Sequence, residues 1–207
     1  SAGTVIVKDI YTGSDVNNNP NGSDPKNIVK VGNSVYFSAY DPQLGQIPYV
    51  SDGTAAGTVP ITQVNGYSGP TVVNVDHFVS YQSKVWFYGS SSANGAGTYV
   101  YDPATKTTTY TGFSWNYKPV EMGGLLWYNN YVPGKGYEQN TTDGTSANSG
   151  IFEDLNPNAA SSSPTRLAAV GNLLFYVTDD SNIGSQARYV VGQGINTVTF
   201  QGNNSDG

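Results

Sequence analysis

The chain has 207 residues, a net charge of −6, 12% charged residues and no cysteine. The missing cysteine removes disulfides and thiolate metal sites. The lack of a Lys/Arg cluster sets nucleic acid aside as a partner, because phosphates would go unneutralised. No run approaches the roughly 20 apolar residues of a membrane-spanning helix.

Aromatic residues make up 13% of the chain, 16 of them Tyr, and Gly, Ser, Thr and Asn are abundant. That composition suits strands and turns better than long helices, whose wet faces need Glu, Lys, Arg and Ala. An acidic, cysteine-free chain of this kind fits exported bacterial proteins, so a secreted or cell-surface location is expected.

In chain order, Gly3 to Ile10 reads as an outer strand with no partners before it. Four aromatic-rich runs follow: Val35-Tyr36-Phe37, Val85-Trp86-Phe87, Leu126-Trp127-Tyr128 and Leu174-Phe175-Tyr176. Each is preceded by a two-residue turn: Gly32-Asn33, Gln82-Ser83, Gly123-Gly124 and Gly171-Asn172. Turns of this length connect hairpins. An apolar or proline residue sits seven positions before each run, at Ile28, Phe78, Pro119 and Leu167.

A third strand begins near Tyr49, Tyr99 and Tyr189, but the third copy slips because Tyr137 and Asp143 lie too far apart. Fourth strands are expected at 58–64, 107–111, 150–155 and 197–201. The fold class is therefore all-β: a propeller-like array of about four four-stranded antiparallel units in a single domain. The units are 11–64, 65–112, 113–155 and 156–201, with 1–10 as an orphan outer strand that could close the array. The chain begins at Ser1 and ends at Ser205-Asp206-Gly207, as if cut within an Asp-Gly turn, so a larger polypeptide is expected.

The second-to-third and fourth-to-next connections read as long loops on one face, at 11–26, 40–46, 65–76, 89–97, 113–118, 129–136, 156–165 and 178–187. Variable loops on a rigid scaffold are where binding usually sits.

Ser51-Asp52-Gly53-Thr54-Ala55-Ala56-Gly57-Thr58 resembles the ELWxxDGT repeat of large bacterial surface and secreted proteins. Val31 to Phe37 and Gly3 to Ile10 fit the same repeat, and Thr142-Asp143-Gly144-Thr145 is a partial copy. The family's Glu-Leu-Trp is here Ile47-Pro48-Tyr49. The resemblance implies a propeller-like extracellular repeat and supplies no catalytic residue.

Catalytic motifs are absent. His77 is the one histidine and there is no G-x-S-x-G elbow, so a serine triad and a zinc site have no basis. Carboxyl candidates are Asp41, Glu153-Asp154 and Asp179-Asp180. Asp15, Asn17, Asn19 and Asp24 place oxygen side chains at near-alternate positions, as calcium loops do, although Pro20 stands where such loops need Gly. Off-register aromatics at Tyr40, Tyr67, Trp115, Tyr117 and Tyr131 could grip a sugar face or a peptide.

The expected function is a non-catalytic extracellular module of an adhesin or surface protein, not an enzyme. It would bind a glycan or peptide on the long-loop face, with calcium as a candidate aid. The alternatives are a structural or assembly repeat of a larger surface protein, and a secreted hydrolase with two converging carboxylates.

Overall fold

The computed structural model describes residues 3–156 and 160–192, with the backbone of 193 and 197–201. The Ser205-Asp206-Gly207 end lies outside them. The described residues contain no α-helix; their strands form four four-stranded antiparallel sheets, each in simple chain order. The order is that of a propeller blade.

The chain divides into two compact units, Ser1–Gly112 and Phe113–Gly207. Unit one holds sheet one, β1 (Lys26–Val31), β2 (Ser34–Asp41), β3 (Gly45–Ser51) and β4 (Val59–Pro60). It also holds sheet two, β5 (Val73–Tyr81), β6 (Lys84–Ser91), β7 (Gly95–Asp102) and β8 (Thr107–Tyr110). Unit two holds sheet three, β9 (Val120–Met122), β10 (Leu125–Val132), β11 (Gly136–Thr142) and β12 (Gly150–Glu153). Sheet four is β13 (Thr165–Val170), β14 (Leu173–Asp180), β15 (Gly184–Gln193) and β16 (Thr197–Gln201).

The aromatic runs lie on the second strand of every sheet. In β2 four successive residues, Tyr36 to Ala39, are buried, so both faces of that strand are covered and no polar alternation survives. Tyr36 leaves sheet one to join Val72, Val75, Phe78 and Phe87 of unit one's core, with its ring 5.8 Å from that of Tyr101. In unit two Trp127 plays the same part against Leu174, Tyr176 and Val190, and its indole N–H donates to the Met122 carbonyl at 3.0 Å.

The four two-residue turns stand where the sequence placed them. Gln82 and Ser83 have φ of +50° and +60°, and Gly123 and Gly124 of +63° and +78°, the paired left-handed residues of a twist-matched hairpin.

The second-to-third connections differ from expectation. Strands two and three of each sheet run further than the hydrophobic pattern implies, leaving three-residue loops at 42–44, 92–94, 133–135 and 181–183. Each loop ends on a glycine at positive φ: Gly45, Gly95, Gly136 and Gly184. Tyr40 and Tyr131 are thus strand residues.

The Gly3 to Ile10 segment also departs from expectation, since it forms no strand. It is held by Lys8, whose Nζ donates to the Thr58 carbonyl at 2.7 Å, and by Ile10, packed on the Phe37, Ala39, Ile47 and Tyr49 cluster.

The apparent slip in the third copy is a substitution. Strands β2 and β3 coincide with β10 and β11 at an offset of 91 residues, which sets Asn140 where Tyr49 stands. The Asp-Gly-Thr turns confirm the offset. Asp52 Oδ1 accepts from the backbone N–H and hydroxyl of Thr54, and Asp143 Oδ1 does so from Thr145. Thr58 Oγ1 donates to the Thr54 carbonyl as Ser149 Oγ does to that of Thr145.

Gly45 and Gly136 make a matched test. Both have positive φ (+78° and +83°), but a Cβ on Gly45 meets nothing within 4 Å, whereas one on Gly136 would lie 2.9 Å from backbone atoms of Ser161. Gly45→Ala should cost about 1–2 kcal/mol, the left-handed penalty alone. Gly136→Ala should cost clearly more, read as the difference in unfolding free energy by urea titration.

Candidate functional site

Unit two carries an open cleft of about 450 Å³ lined by Asn116, Tyr117, Asn129, Tyr137, Ser163 and Thr165. Asn129 projects from β10 and Tyr137 from β11; the other walls come from the segments before β9 and around the start of β13. Tyr131 and Tyr137 are register partners across β10 and β11, their rings edge to face at 5.3 Å. Tyr117, Tyr131 and Tyr137 are 50%, 55% and 38% exposed, so three phenol rings stand open to solvent at or beside the cleft.

The 161–164 wall is fixed by hydrogen bonds. Ser163 donates its backbone N–H to the Tyr137 carbonyl at 3.0 Å, and the Tyr137 N–H donates to Ser161 Oγ at 2.9 Å. Asn129 donates Nδ2 to the Pro164 carbonyl at 2.7 Å, while its buried Oδ1 has no protein partner. A buried amide oxygen without a donor is costly unless something else satisfies it.

Behind this wall lies Glu138, fully buried. Its carboxylate accepts the Ser162 backbone N–H at 3.0 Å and the Ser162 hydroxyl at 2.5 Å. Burial pushes this carboxyl above the usual glutamate range; the Ser162 bonds pull it down, and the charge of Asp154 pushes it up again. Asp154 is itself ion-paired with Lys135 at 2.5 Å. Of these two carboxyls, one is held by a serine and one by a lysine.

At the 91-residue offset, unit one holds Ile47 where unit two holds Glu138, and Ile47 is 1% exposed. An interior that accepts isoleucine in one copy carries a carboxyl in the other. Packing alone does not ask for that change.

Nearby, burial also raises the Glu153 carboxyl, against an opposing pull from Arg188. Arg188 donates to Asp180 Oδ2 at 2.6 Å and to Thr178 Oγ1 at 3.1 Å.

The other expected residues fall as follows. Trp115 is 1% exposed and packed on Phe113 and Tyr128, so its ring belongs to the interior. Tyr67 is tied down by its hydroxyl, which donates to the Pro70 carbonyl, and its ring stacks on Tyr101. Tyr40 is 39% exposed, with its ring tilted against that of Tyr11 at 5.4 Å, in the other unit from the cleft. Trp115 and Tyr67 act as staples. Tyr117 and Tyr131 are open and are joined by Tyr137.

Asp15 Oδ1 accepts the N–H groups of Asn17 and Asn19, and Oδ2 accepts Asn19 Nδ2, which holds its carboxyl below the usual range. Asp24 pairs with Lys26 at 2.5 Å. Among the described residues no three His, Cys, Asp or Glu side chains gather as a metal site.

Of the carboxyl candidates, Asp41 caps its own hairpin at Gln43 and Leu44. His77 sits on an irregularity of β5, its N–H bonded to Asp76 Oδ1 at 2.7 Å. Sequence reasoning missed Glu138, Tyr137, Asn116 and Asn129. The signal lay in the offset, which the Tyr49-to-Asn140 change obscured.

No family model and no curated protein matches the chain. Among solved structures, a puromycin hydrolase variant is similar at 15% identity over 83% of this chain, with a TM-score of 0.49. An exo-beta-1,3-galactanase from Phanerochaete chrysosporium is similar at 14% identity over 93% of this chain, with a TM-score of 0.39. An alpha-L-arabinofuranosidase from Clostridium thermocellum is similar at 12% identity over 84% of this chain, with a TM-score of 0.38. The chain spans 28%, 53% and 70% of these three. All three neighbours are enzymes by name, which runs against the expectation of a non-catalytic module that is not an enzyme.

Glu138 gives the site a pH signature. Its raised pKa means the folded chain binds this proton more tightly than the unfolded one. The corresponding stability is complete below the ordinary glutamate value of about 4.3 and is lost as pH climbs through the raised one. Glu138→Gln removes the titration, so the variant should gain in melting temperature relative to the parent as pH rises from about 4 to about 7. A difference that is flat with pH would contradict the assignment.

Proposed function

We propose that the protein is an extracellular glycan hydrolase whose substrate lies in the unit-two cleft. The observation that carries this reading is the cleft of exposed tyrosines and amides, with the buried carboxyl of Glu138 on the strand residue next to Tyr137. Sugars present C–H faces to aromatic rings and hydroxyls to amides and carboxylates. Tyr117, Tyr131 and Tyr137 supply the rings, and Asn116 and Asn129 the amides.

Glycoside cleavage needs one carboxyl that holds its proton and a second that does not. Glu138 fits the first role because desolvation favours its neutral form. It would protonate the glycosidic oxygen as the leaving sugar departs. Asp154, facing Lys135, would supply the negative charge that activates water or stabilises the developing oxocarbenium ion. Glu138 leaves β11 on the face opposite Tyr137, so reaching a bound sugar requires the 161–164 wall to open as Glu138 exchanges its Ser162 hydroxyl bond for one to the glycosidic oxygen. The acidic, cysteine-free composition favours action outside the cell. No helix among the described residues is long and apolar enough to cross a membrane.

Reducing-end release from a panel of plant, microbial and host polysaccharides tests the reading. Glu138→Gln and Asp154→Asn should each lower kcat by roughly a hundredfold or more, the usual share of an acid or base group. Tyr137→Ala should act mainly on KM. Binding of oligosaccharides in the cleft without cleavage of any would overturn the proposal, as would full activity in Glu138→Gln.

A further inference from the structure

The two Asp-Gly-Thr turns differ at one oxygen. In unit two Asp143 Oδ1 is taken by Thr145, and Oδ2 accepts the Asn148 amide at 2.6 Å. The 91-residue offset sets Gly57 opposite Asn148. In unit one Asp52 Oδ1 accepts from Thr54 as its counterpart does, but no side chain among the described residues donates to Oδ2. A Cβ at Gly57 would lie 2.3 Å from that oxygen, so the carboxylate rests over the glycine. The bonds from Thr54 hold this carboxyl below the usual range, so it carries its charge at neutral pH.

Asp52 lines a cleft of about 430 Å³ whose walls all belong to unit one, shared with Gly57, Gln63, Asn65, Tyr101 and Lys106. That volume lies within the range of about 300–1,000 Å³ usual for small-molecule sites. Lys106 is held in place there. Its Nζ donates to the Asn65 carbonyl at 2.6 Å, and its stem runs 3.6 Å from where a Cβ on Gly66 would stand. Its φ of +57° is a left-handed conformation that glycine would adopt without strain. Turn geometry alone does not ask for a lysine at this position.

We propose that this cleft binds a neutral glycan chain at a site separate from the cleft of unit two. The open carboxylate oxygen accepts, and the Lys106 protons not used by Asn65 donate. A sugar carrying neighbouring hydroxyls meets both demands at once, because each hydroxyl donates and accepts. A ligand with a single charge would be drawn to one of these groups and repelled by the other. Gln63 and Asn65 add amides, and Tyr101 adds an apolar wall. Asp52 is the one carboxyl among the lining residues, and cleavage takes two, so this cleft holds a chain without cutting it. The choice of a glycan as ligand rests on the hydrolase reading; the site itself rests on unit one alone.

Backbone-amide NMR on the full chain tests the proposal, in the parent and in Glu138→Gln, which should leave the probes uncut. The probes are short neutral oligosaccharides of glucose, mannose, galactose and xylose, with oligogalacturonate and free amino acids as charged controls. At least one neutral probe should shift the Gly57 and Asn65 amides to saturation. Asp52→Ala and Lys106→Met should each weaken that binding by about tenfold or more, because a charged hydrogen bond is lost. Gly57→Ala should weaken it too, by turning the carboxylate aside, and serves if Asp52→Ala misfolds. The Asn116 and Thr165 amides report the unit-two cleft separately. Silence there, or no cleavage, counts against the hydrolase reading alone. No shift at Gly57 and Asn65 with any neutral probe overturns the unit-one site. So does a response to the charged controls only, or Lys106→Met binding like the parent.

Discussion

Each unit rests on one ring crossing from sheet to sheet. A four-stranded sheet of this size cannot bury both faces by itself. Tyr36 in unit one and Trp127 in unit two leave the second strand of the first sheet and enter the core of the second. This contact covers one face of each of the two sheets together. It explains why the central strands show runs of buried residues and no alternation. It also explains why tight two-residue turns lead into them: the ring must emerge at a fixed distance from the hairpin end.

The limits of the second and third strands coincide at a 91-residue offset between sheets one and three, and the Asp-to-Thr hydrogen bonds of the Asp-Gly-Thr turns repeat. Against such a background, differences between copies are informative. Sheet one fills its interior with Ile47 and Tyr49; sheet three places Glu138 and Asn140 there. Burying a carboxyl costs free energy unless hydrogen bonds and nearby charges compensate, and a well-packed apolar residue would often serve stability better. Glu138 keeps its place by holding Ser162, which sets the wall of the tyrosine cleft. Scaffold and site therefore meet at one side chain.

Much of the scaffold was legible because its signals are local. The four aromatic runs and their turns each lie within ten residues, and a two-residue turn leaves one register open. The lengths of the second and third strands were not legible. Asn129 and Thr178 are polar yet buried, so hydrophobic patterning reads them as loop. That error turned three-residue hairpins into long loops and made Tyr40 and Tyr131 look like loop residues. Of the site, Tyr117 and Tyr131 were visible as aromatics out of phase with the repeat, while Trp115 and Tyr67 carried the same signature and are staples. Glu138 was invisible because a single Glu between Tyr137 and Gln139 matches no motif. Only its opposition to Ile47 reveals it, and Asn140 in place of Tyr49 hid that alignment.

The central claim is that a proton-holding carboxyl backs the cleft. Carboxyl-detected NMR on the intact protein, with Glu138 assigned through Glu138→Gln, measures that proton directly. Glu138 should titrate clearly above the ordinary glutamate value of about 4.3. A Glu138 that titrates at or below that value would contradict the claim.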